Sequence, residues 1–288
     1  MVIVNLIKRN LKLFFRDKAS VFFSLLAVFI IIGLYVFFLG RMMTEGFENL
    51  LGDNARFIVD SWVMAGILSV TSITTTMGAL GIMVDDRSKK ILNDFYSAPL
   101  KRSYLTCGYL LSCFIIGIIM TIIALVIAEI YIISGGGELL GLMSLLKLLG
   151  VMFISVFAGS SMVFFIVTFF KSSNAFAAAS TVIGTLIGFL TGIYIPIGQL
   201  PSGVQTAIKI FPISHSAALF RQIMMEAPMS EALAGAPVEV ITDFKKTMGV
   251  IFFAGDKEIT PLINILVLVA TGVIFLILSI VNISIKKR

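Results

Sequence analysis

The chain has 288 residues, of which 58% are hydrophobic and 13% are charged. Soluble domains carry about 25% charged residues, so this composition, with a mean hydropathy of +1.06, excludes a soluble globular protein and indicates an integral membrane protein. The net charge of +6 is interpreted as a sign of membrane topology and not of affinity for nucleic acid. Cys107 and Cys113 lie in one apolar run without a metal-ligand spacing, and we interpret them as small buried hydrophobes.

The first eighteen residues predict an amphipathic helix. An apolar stripe at helical spacing is flanked by a basic cluster on the opposite side. The stripe consists of Val4, Ile7, Leu11 and Phe14, and the basic cluster of Lys8, Arg9, Lys12 and Arg16. This pattern favours a helix that lies in the cytoplasmic membrane interface. The alternative is a solvated basic leader.

Six apolar runs follow, each long enough to cross roughly 30 Å of hydrocarbon. They are Val21–Leu39, Ser61–Val84, Tyr104–Ile133, Leu145–Phe170, Ala175–Ile195 and Pro261–Ile285. The first run is longer than a signal-peptide core and lacks a small-residue cleavage site, so it is predicted to be a retained span. The sequence therefore predicts an all-α integral membrane protein with one transmembrane domain over residues 1–288.

The basic residues predict the orientation of these spans. Lysines and arginines are concentrated before the first span, between spans two and three, and after span six, whereas the short loops on the other side hold few. By the positive-inside rule, both termini are cytoplasmic. We expect a multi-pass protein of the cell membrane, compatible with a bacterial plasma membrane.

Span two contains hydroxyl side chains on one helix face, namely Ser69, Ser72 and Thr76. Such groups bind neighbouring helices or line a wet path, and both interpretations stay open.

Glu129 lies in the outer third of span three. An ionisable group inside a membrane is costly and often functional, so it is a candidate pathway residue, unless it reaches the outer interface.

The loop between spans two and three predicts a short amphipathic cytoplasmic helix. Its apolar face consists of Ile91, Leu92, Phe95 and Tyr96. Asp85 and Asp86, beside Arg87, form an acidic start, and Pro99 ends the helix. Acids at a helix start complement the helix dipole. This helix is a candidate docking surface, or alternatively lies on the lipid. A magnesium site at the acidic pair is disfavoured because no second acidic cluster exists to supply further oxygen ligands.

Span five carries Gly184, Gly188 and Gly192 at a spacing of four residues. This spacing predicts a smooth face for close helix packing, within or between subunits.

The segment 196–260 lies between the last two spans and begins as a broken apolar stretch. Pro196, Pro201 and Pro212 interrupt it, and proline ends helices because it lacks an N–H donor. We expect short helices that re-enter the membrane from outside, since broken backbone at depth needs cover from protein or a cavity. The segment contains the single histidine, His215, which we interpret as a hydrogen-bonded structural residue or, alternatively, a ligand or proton relay. From Glu226 onward the segment predicts a small exposed subdomain, in which Ser230 is expected to begin a helix.

The chain contains no GxxxxGK[ST] phosphate loop, so any ATP would be bound by another polypeptide. In the order of its parts, the chain resembles the permease subunit of type-2 ATP-binding-cassette (ABC) exporters. The resemblance is carried by Asp86-Arg87, Leu92 and Pro99 in the inner loop, and by Gly192–Pro196, Leu200-Pro201, Phe211-Pro212 and Ala218–Arg221 outside. Ser88 and Lys90 depart from the family pattern at its second acid and its glycine.

The resemblance implies two permease subunits, identical or related, and two separate ATPase subunits that bind ATP and magnesium and dock near Asp86–Pro99. This chain would have no catalytic site, metal or cofactor of its own. The pathway would run near spans two and five, with an outer gate that includes Pro196, Pro201, Pro212, His215 and Arg221. A hydrophobic drug, antimicrobial peptide or lipid-like substrate is expected.

Three other classes stay open from the residues alone. A membrane-embedded lipid-modifying enzyme would use the pair Asp85-Asp86. A toxin-immunity or scaffold protein would bind through residues 226–260 and need no ATPase. A secondary transporter usually shows repeated halves, which the chain does not clearly show.

Overall fold

The computed structural model of the chain describes residues 2–97 and 100–285. In this part of the chain, six helical segments are long and apolar enough to cross a membrane, which confirms the six predicted spans. The helices are α1 (Val2–Arg16), α2 (Lys18–Ser24), α3 (Leu26–Leu34), α4 (Gly40–Leu51), α5 (Ala55–Ser88), α6 (Ile91–Ser97), α7 (Arg102–Ser134), α8 (Leu142–Val167), α9 (Ser173–Leu190), α10 (Ser202–Ile210), α11 (Pro212–Met224), α12 (Glu226–Ala232), α13 (Val238–Thr247) and α14 (Pro261–Ile285).

Below, the end of the bundle at which α1 and α6 lie is called the inner end, and the end at which α12 and α13 lie is called the outer end. These names follow the predicted orientation.

The helix α5 is the centre of the fold. It packs against α7, α8, α9 and α11, and nearly all of its residues from Ile58 to Met77 are buried. The other spans surround it and expose large apolar side chains, such as Phe37 and Phe38 in span one and Leu262 in α14. This arrangement suits a bundle whose outer surface faces lipid.

Span one differs from its predicted bounds. It runs from Leu26 to Glu48, through α3, a π-helical turn over Tyr35–Leu39, and α4. The predicted end at Leu39 marks the end of the apolar run and not of the helix, because the backbone continues as the amphipathic α4.

The amphipathic helix α1 buries a face that shares only Phe14 with the predicted stripe. Its buried residues are Leu6, Asn10 and Phe14, whereas Val4 is exposed. The reason is the packing of α1 on α7, where Gly108 leaves room for Leu6, since a Cβ on Gly108 would lie 2.9 Å from the Leu6 Cβ. The Asn10 amide donates to the Ser112 hydroxyl at 3.1 Å.

The outer segment is not entirely helical. It contains a two-stranded antiparallel hairpin, β1 (Phe252–Ala254) and β2 (Lys257–Ile259), with Phe253 opposite Glu258.

Two helix starts in the outer segment bear on the predictions. Pro212 occupies the first turn of α11, where a missing N–H is tolerated. The predicted helix start at Ser230 is wrong: α12 begins at Glu226, and the Ser230 hydroxyl donates to the Ala227 carbonyl inside it.

Candidate functional site

The sequence Asp85-Asp86-Arg87 ends α5 and does not begin the short helix after it, which corrects the expectation that the acids complement the dipole of that helix. A turn at Lys89-Lys90 separates the two helices, and Lys90 has a φ of 63°. Acids at a helix C-terminus face the negative end of its dipole, so they need partners elsewhere. Each of the three residues contacts a different neighbouring element.

Asp86 binds α1 and α7. Its buried carboxylate accepts a bidentate pair from Arg9, with Nη1–Oδ2 at 2.7 Å and Nη2–Oδ1 at 2.8 Å. The Tyr109 hydroxyl donates to Oδ2 at 2.5 Å. Bidentate, charge-assisted bonds are strong and directional. The hydrogen bonds and charge of Asp86 raise the pKa of Arg9, so α1 is held to α5 by a permanent cation.

Asp85 and Arg87 bind α9 and α8. The Ser173 hydroxyl, in the first turn of α9, donates to Asp85 Oδ1 at 2.5 Å. Arg87 Nη1 donates to the Phe170 carbonyl at 2.6 Å and to the Val167 carbonyl at 3.3 Å, just where α8 ends. Cations are favourable at the C-terminal carbonyls of a helix.

We call this group the inner cluster: Arg9, Asp85, Asp86, Arg87, Tyr109 and Ser173. It joins the inner end of α5 to α1, α7, α8 and α9. The end of α5 is therefore in direct contact with four other helices.

The helix α6 directly follows the inner cluster. Leu92 is buried, and the Phe95 ring is covered by the Arg9 guanidinium, whose Cζ lies 5.4 Å from the ring centroid. Among the side chains of α6 that the structure describes, the exposed ones are polar, namely Asn93, Asp94 and Ser97. The Tyr96 side chain and the whole of Pro99 lie outside the described residues.

A cleft of about 600 Å³ opens beside the inner cluster, between α1, α5 and α9. Its lining changes from charged, at Asp85 and Lys89, to apolar, at Phe14, Met77 and Phe176. An amphipathic lining of this kind accommodates molecules with both apolar and polar parts.

The predicted pathway hydroxyls lie away from this cleft. Ser69, Ser72 and Thr76 are fully buried, and each donates to a backbone carbonyl. Ser69 donates to Ile213 of α11 at 3.0 Å, while the other two donate within α5. In this arrangement they contribute helix packing, and Ser69 fastens the start of α11 to span two.

Glu129 and Asp60 are acids of membrane-spanning helices that lie toward the outer end, and of these only Glu129 was a predicted site residue. Glu129 Oε2 accepts a hydrogen bond from the Leu140 N–H at 3.1 Å, so it holds the loop that follows α7. Glu129 does not line the inner cleft. Asp60, in α5, is buried with its Oδ2 3.6 Å from Arg56 Nε. Asp60 directly precedes the apolar run that was predicted to begin at Ser61, so it was not recognised as an acid inside a span.

The three glycines of span five do not form one face. Gly192 lies beyond the end of α9 with a φ of 62°, a backbone conformation that glycine adopts without strain. Gly188 is covered by Tyr194, since a Cβ there would lie 2.5 Å from the ring. Only Gly184 has open space beside it, on a helix whose surface is mostly exposed.

At the outer end, Arg221 is fully buried and binds carbonyl oxygens. Its Nη2 donates to Thr191 at 3.0 Å and Gly192 at 2.9 Å, directly after α9. Its Cζ lies 4.9 Å from the Trp62 ring centroid, and Trp62 Nε1 donates to the Met248 carbonyl at 2.7 Å. We call Trp62, Arg221 and these carbonyls the outer clamp. Burial lowers the pKa of Arg221 to about 9.

The remaining predicted gate residues lie around the outer clamp. His215 bridges two elements, with Nδ1 2.6 Å from Asn264 Oδ1 of α14 and Nε2 3.0 Å from the Lys209 carbonyl. This placement favours the structural interpretation of the histidine. Pro196 and Pro201 directly precede a short 3₁₀ turn and α10, and Pro212 opens α11, so the prolines set helix starts.

Arg9, Tyr109 and Ser173 belong to the inner cluster but were not among the predicted site residues. Arg9 was assigned to the basic face of α1. Tyr109 and Ser173 belong to no motif in the sequence that would mark them as site residues. Only the packing of α1, α7 and α9 around α5 brings them to the same acids.

Comparison with known proteins agrees with this architecture. The sequence model of the ABC-2 family transporter proteins matches residues 44–281, which is most of the chain. Nodulation protein J of Rhizobium leguminosarum bv. trifolii is 36% identical over 87 residues, which cover 30% of this chain and 33% of that protein. The matched region thus spans about a third of that relative. The resemblance inferred from the residues is confirmed at the level of the family: this chain belongs to the ABC-2 family of transporter proteins, as a multi-pass membrane permease component.

Proposed function

We propose that this chain is the permease subunit of an exporter driven by separate ATPase subunits, and that the exposed side of α6 is where an ATPase docks. The observation that supports this most directly is the inner cluster. Three consecutive residues at the end of α5 bind α1, α7, α8 and α9, immediately before a short exposed helix.

The connection between α6 and the spans is short. Only Lys89 and Lys90 separate α6 from α5, and Phe95 contacts Arg9 of the inner cluster. A push on α6 therefore reaches the end of α5 and, through Arg9, the helix α1. We expected Asp86 and Phe95 to contact an ATPase directly, but Asp86 is buried and Phe95 faces Arg9. In this proposal they instead pass movement of α6 on to α5 and α1.

The proposed contact surface is instead Asn93, Asp94 and Ser97. ATP and magnesium belong to the ATPase subunits in this proposal, and this chain supplies no ligand for them.

The transport pathway is proposed to follow the inner cleft and the open side of α9. A second permease, identical or related, would complete it, because α9 is long enough to span yet is mostly exposed in the single subunit. A hydrophobic or amphipathic substrate, such as a drug, an antimicrobial peptide or a lipid-like molecule, fits the change from charged to apolar lining along the cleft.

The test is purification of the tagged chain from native membranes in mild detergent, with mass spectrometry of the proteins that accompany it. We expect a stoichiometric ATPase with the wild type, and loss of most of it with Asp94→Lys. Glu239→Lys, at an exposed position on α13, is the matched control and should retain the ATPase.

Two results would contradict the proposal in different ways. Retention of the ATPase by Asp94→Lys would exclude α6 as the contact surface. Absence of any ATPase from the wild-type preparation, under conditions that preserve a known ABC complex, would move the assignment to an enzyme, a secondary transporter or an immunity protein.

A further inference from the structure

A large cavity lies at the outer end, away from the inner cleft. It measures about 900 Å³ and is formed where α8, α11 and α14 meet, beneath α12, α13 and β2. Its walls are mainly apolar and include Val151, Ile154, Leu219, Ile223 and Ile265. Pockets for small ligands range over about 300–1,000 Å³, so this one holds a large apolar group.

The rim of the cavity carries four charged side chains. Lys147 and Lys245 supply two positive charges, and Glu226 and Glu258 supply two negative charges. The Lys147 Nζ lies 3.9 Å from the Glu226 Oε2, and both side chains are more than half exposed. Exposed pairs of this kind contribute about 0–1 kcal/mol, so both members are available to a ligand.

The cavity lies at the boundary of the membrane. Its apolar walls come from the outer ends of α8 and α14 and from α11, and Lys147 is in the second turn of α8. Leu146 on α8 and Leu262 and Leu266 on α14 are exposed, so the protein surface beside the apolar part of the cavity is suited to contact with lipid.

We propose that this cavity is a binding site for one phospholipid with a zwitterionic headgroup, drawn from the leaflet at the outer end. An acyl chain would fill the apolar interior. The phosphate would face Lys147 and Lys245, and the ammonium group would face Glu226 and Glu258. The balance of two charges of each sign favours a phosphatidylethanolamine-type headgroup over an anionic one, which would meet repulsion from the two glutamates.

This site is separate from the proposed pathway and does not depend on it. No residue of α9 or α1 lines the cavity. The proposal gives the subdomain 226–260 a role in closing over a bound lipid.

A larger side chain at Gly150 should fill the cavity without displacing the surrounding helices. It lies in α8 and lines the cavity, and a Cβ added there would meet nothing within 4 Å. Gly150→Phe should therefore place its ring in the cavity. Gly33→Phe is the matched control, because Gly33 is also in a membrane helix, also has open space beside it, and lies in span one.

The experiment is native mass spectrometry of the delipidated full-length protein titrated with phosphatidylethanolamine and, separately, phosphatidylglycerol. We expect one phosphatidylethanolamine per chain that survives collisional activation, with affinity at least tenfold lower in Gly150→Phe and unchanged in Gly33→Phe. Equal retention by the two variants would overturn the proposed site.

The headgroup contact is tested by charge reversal. Lys147→Glu changes the rim to one positive and three negative charges and should weaken phosphatidylethanolamine binding several-fold, whereas Lys147→Glu combined with Glu226→Lys restores the balance and should recover most of it. Equal affinity for the two lipids in the wild type, or an unchanged affinity in Lys147→Glu, would overturn the zwitterionic assignment. Thermal unfolding of every variant separates a lost site from a lost fold.

Discussion

The inner cluster and the outer clamp each contain an arginine that donates to backbone carbonyls, Arg87 and Arg221, but the inner cluster adds an ion pair through Arg9. Arg9 of the inner cluster pairs with a carboxylate, and its side chain is 29% exposed. Arg221 of the outer clamp is fully buried and donates to backbone carbonyls. One attachment is an ion pair at the edge of the protein, and the other is part of the protein interior.

This difference indicates which end is able to move. The Arg9 guanidinium is already partly exposed, so water can solvate it when α1 separates from α5, although release of the buried Asp86 carboxylate carries a cost. Unbinding Arg221 would leave a buried cation and several buried carbonyls without partners, at a cost of about 1–3 kcal/mol for each carbonyl and more for the cation. We infer that the inner end opens and closes around α5 while the outer clamp stays formed. The following predictions test that inference.

The largest effect is expected from Arg221→Met, which keeps much of the side-chain volume but removes all donors. The carbonyls of Thr191 and Gly192 lose their partner inside the protein, so we expect destabilisation of about 3 kcal/mol or more. The measurement is the yield and the thermal unfolding midpoint of the detergent-purified protein. Arg221→Lys, which keeps the charge but not the forked geometry, should lie between Met and the wild type.

Unaltered thermal stability of Arg221→Met would contradict the view of the outer clamp as a fixed part of the fold. It would then have to be regarded as a second mobile contact, comparable with the inner cluster.

A smaller loss of stability, but a clear loss of coupling, is expected from Asp86→Ala. Arg9 loses its bidentate partner and Tyr109 its acceptor, at a cost of about 1.5–3 kcal/mol for hydrogen bonds to a charged group. Because α1 is then released from α5, substrate-stimulated ATP hydrolysis by the complex should fall more than the amount of folded protein does.

The exchange of charges provides the control for this prediction. Arg9→Asp combined with Asp86→Arg should recover part of the coupling that either single change removes, which a double-mutant cycle would measure. Strict additivity of the two single changes would show that the pair carries no coupling.

The sequence allowed the six spans to be predicted because they follow from local patterns. Apolar runs identify membrane helices by length alone, and the prolines identify helix starts in the outer segment. Asp86 and Arg221 were among the predicted site residues. What remained unpredictable was their partners, because Arg9 and Tyr109 are 77 and 23 residues away from Asp86.

The surroundings of the polar side chains of α5 also could not be predicted from the sequence. Ser69, Ser72 and Thr76 share a face of α5, as predicted, but that face is covered by other helices and their hydroxyls bond to carbonyls. A helix that is surrounded on nearly every side shows no amphipathic pattern, so its sequence does not tell which face is wet. The different burial of Gly184 and Gly188 has another cause, since Tyr194, which covers Gly188, lies beyond the end of α9.

A weaker contact of the inner cluster should give a smaller effect. Ser173→Ala removes the donor to Asp85 Oδ1, while the Asp85 carboxylate is still reached by water and by Lys89 at 3.5 Å. We expect a loss of about 0.5–1 kcal/mol and a mild reduction in stimulated ATP hydrolysis. Thr181→Ala, one of the other exposed hydroxyls of α9, should leave hydrolysis unchanged, and equal effects of the two changes would argue against a contact between α5 and α9 at this point.

The smallest effect on the folded subunit is expected from Gly184→Leu, which locates the boundary between the fixed and the mobile regions. A side chain at Gly184 meets nothing, and replacing glycine inside a helix is favourable by up to about 1 kcal/mol, so the isolated subunit should be as stable or slightly more so. Gly188→Leu, one turn nearer the outer clamp, collides with Tyr194 and should be clearly destabilised. If the open side of α9 meets a second permease, Gly184→Leu should still reduce the dimeric fraction in chemical cross-linking, since bulk at that position keeps two helices apart. An unchanged dimeric fraction would place the second subunit on another surface, and the open side of α9 would then face lipid.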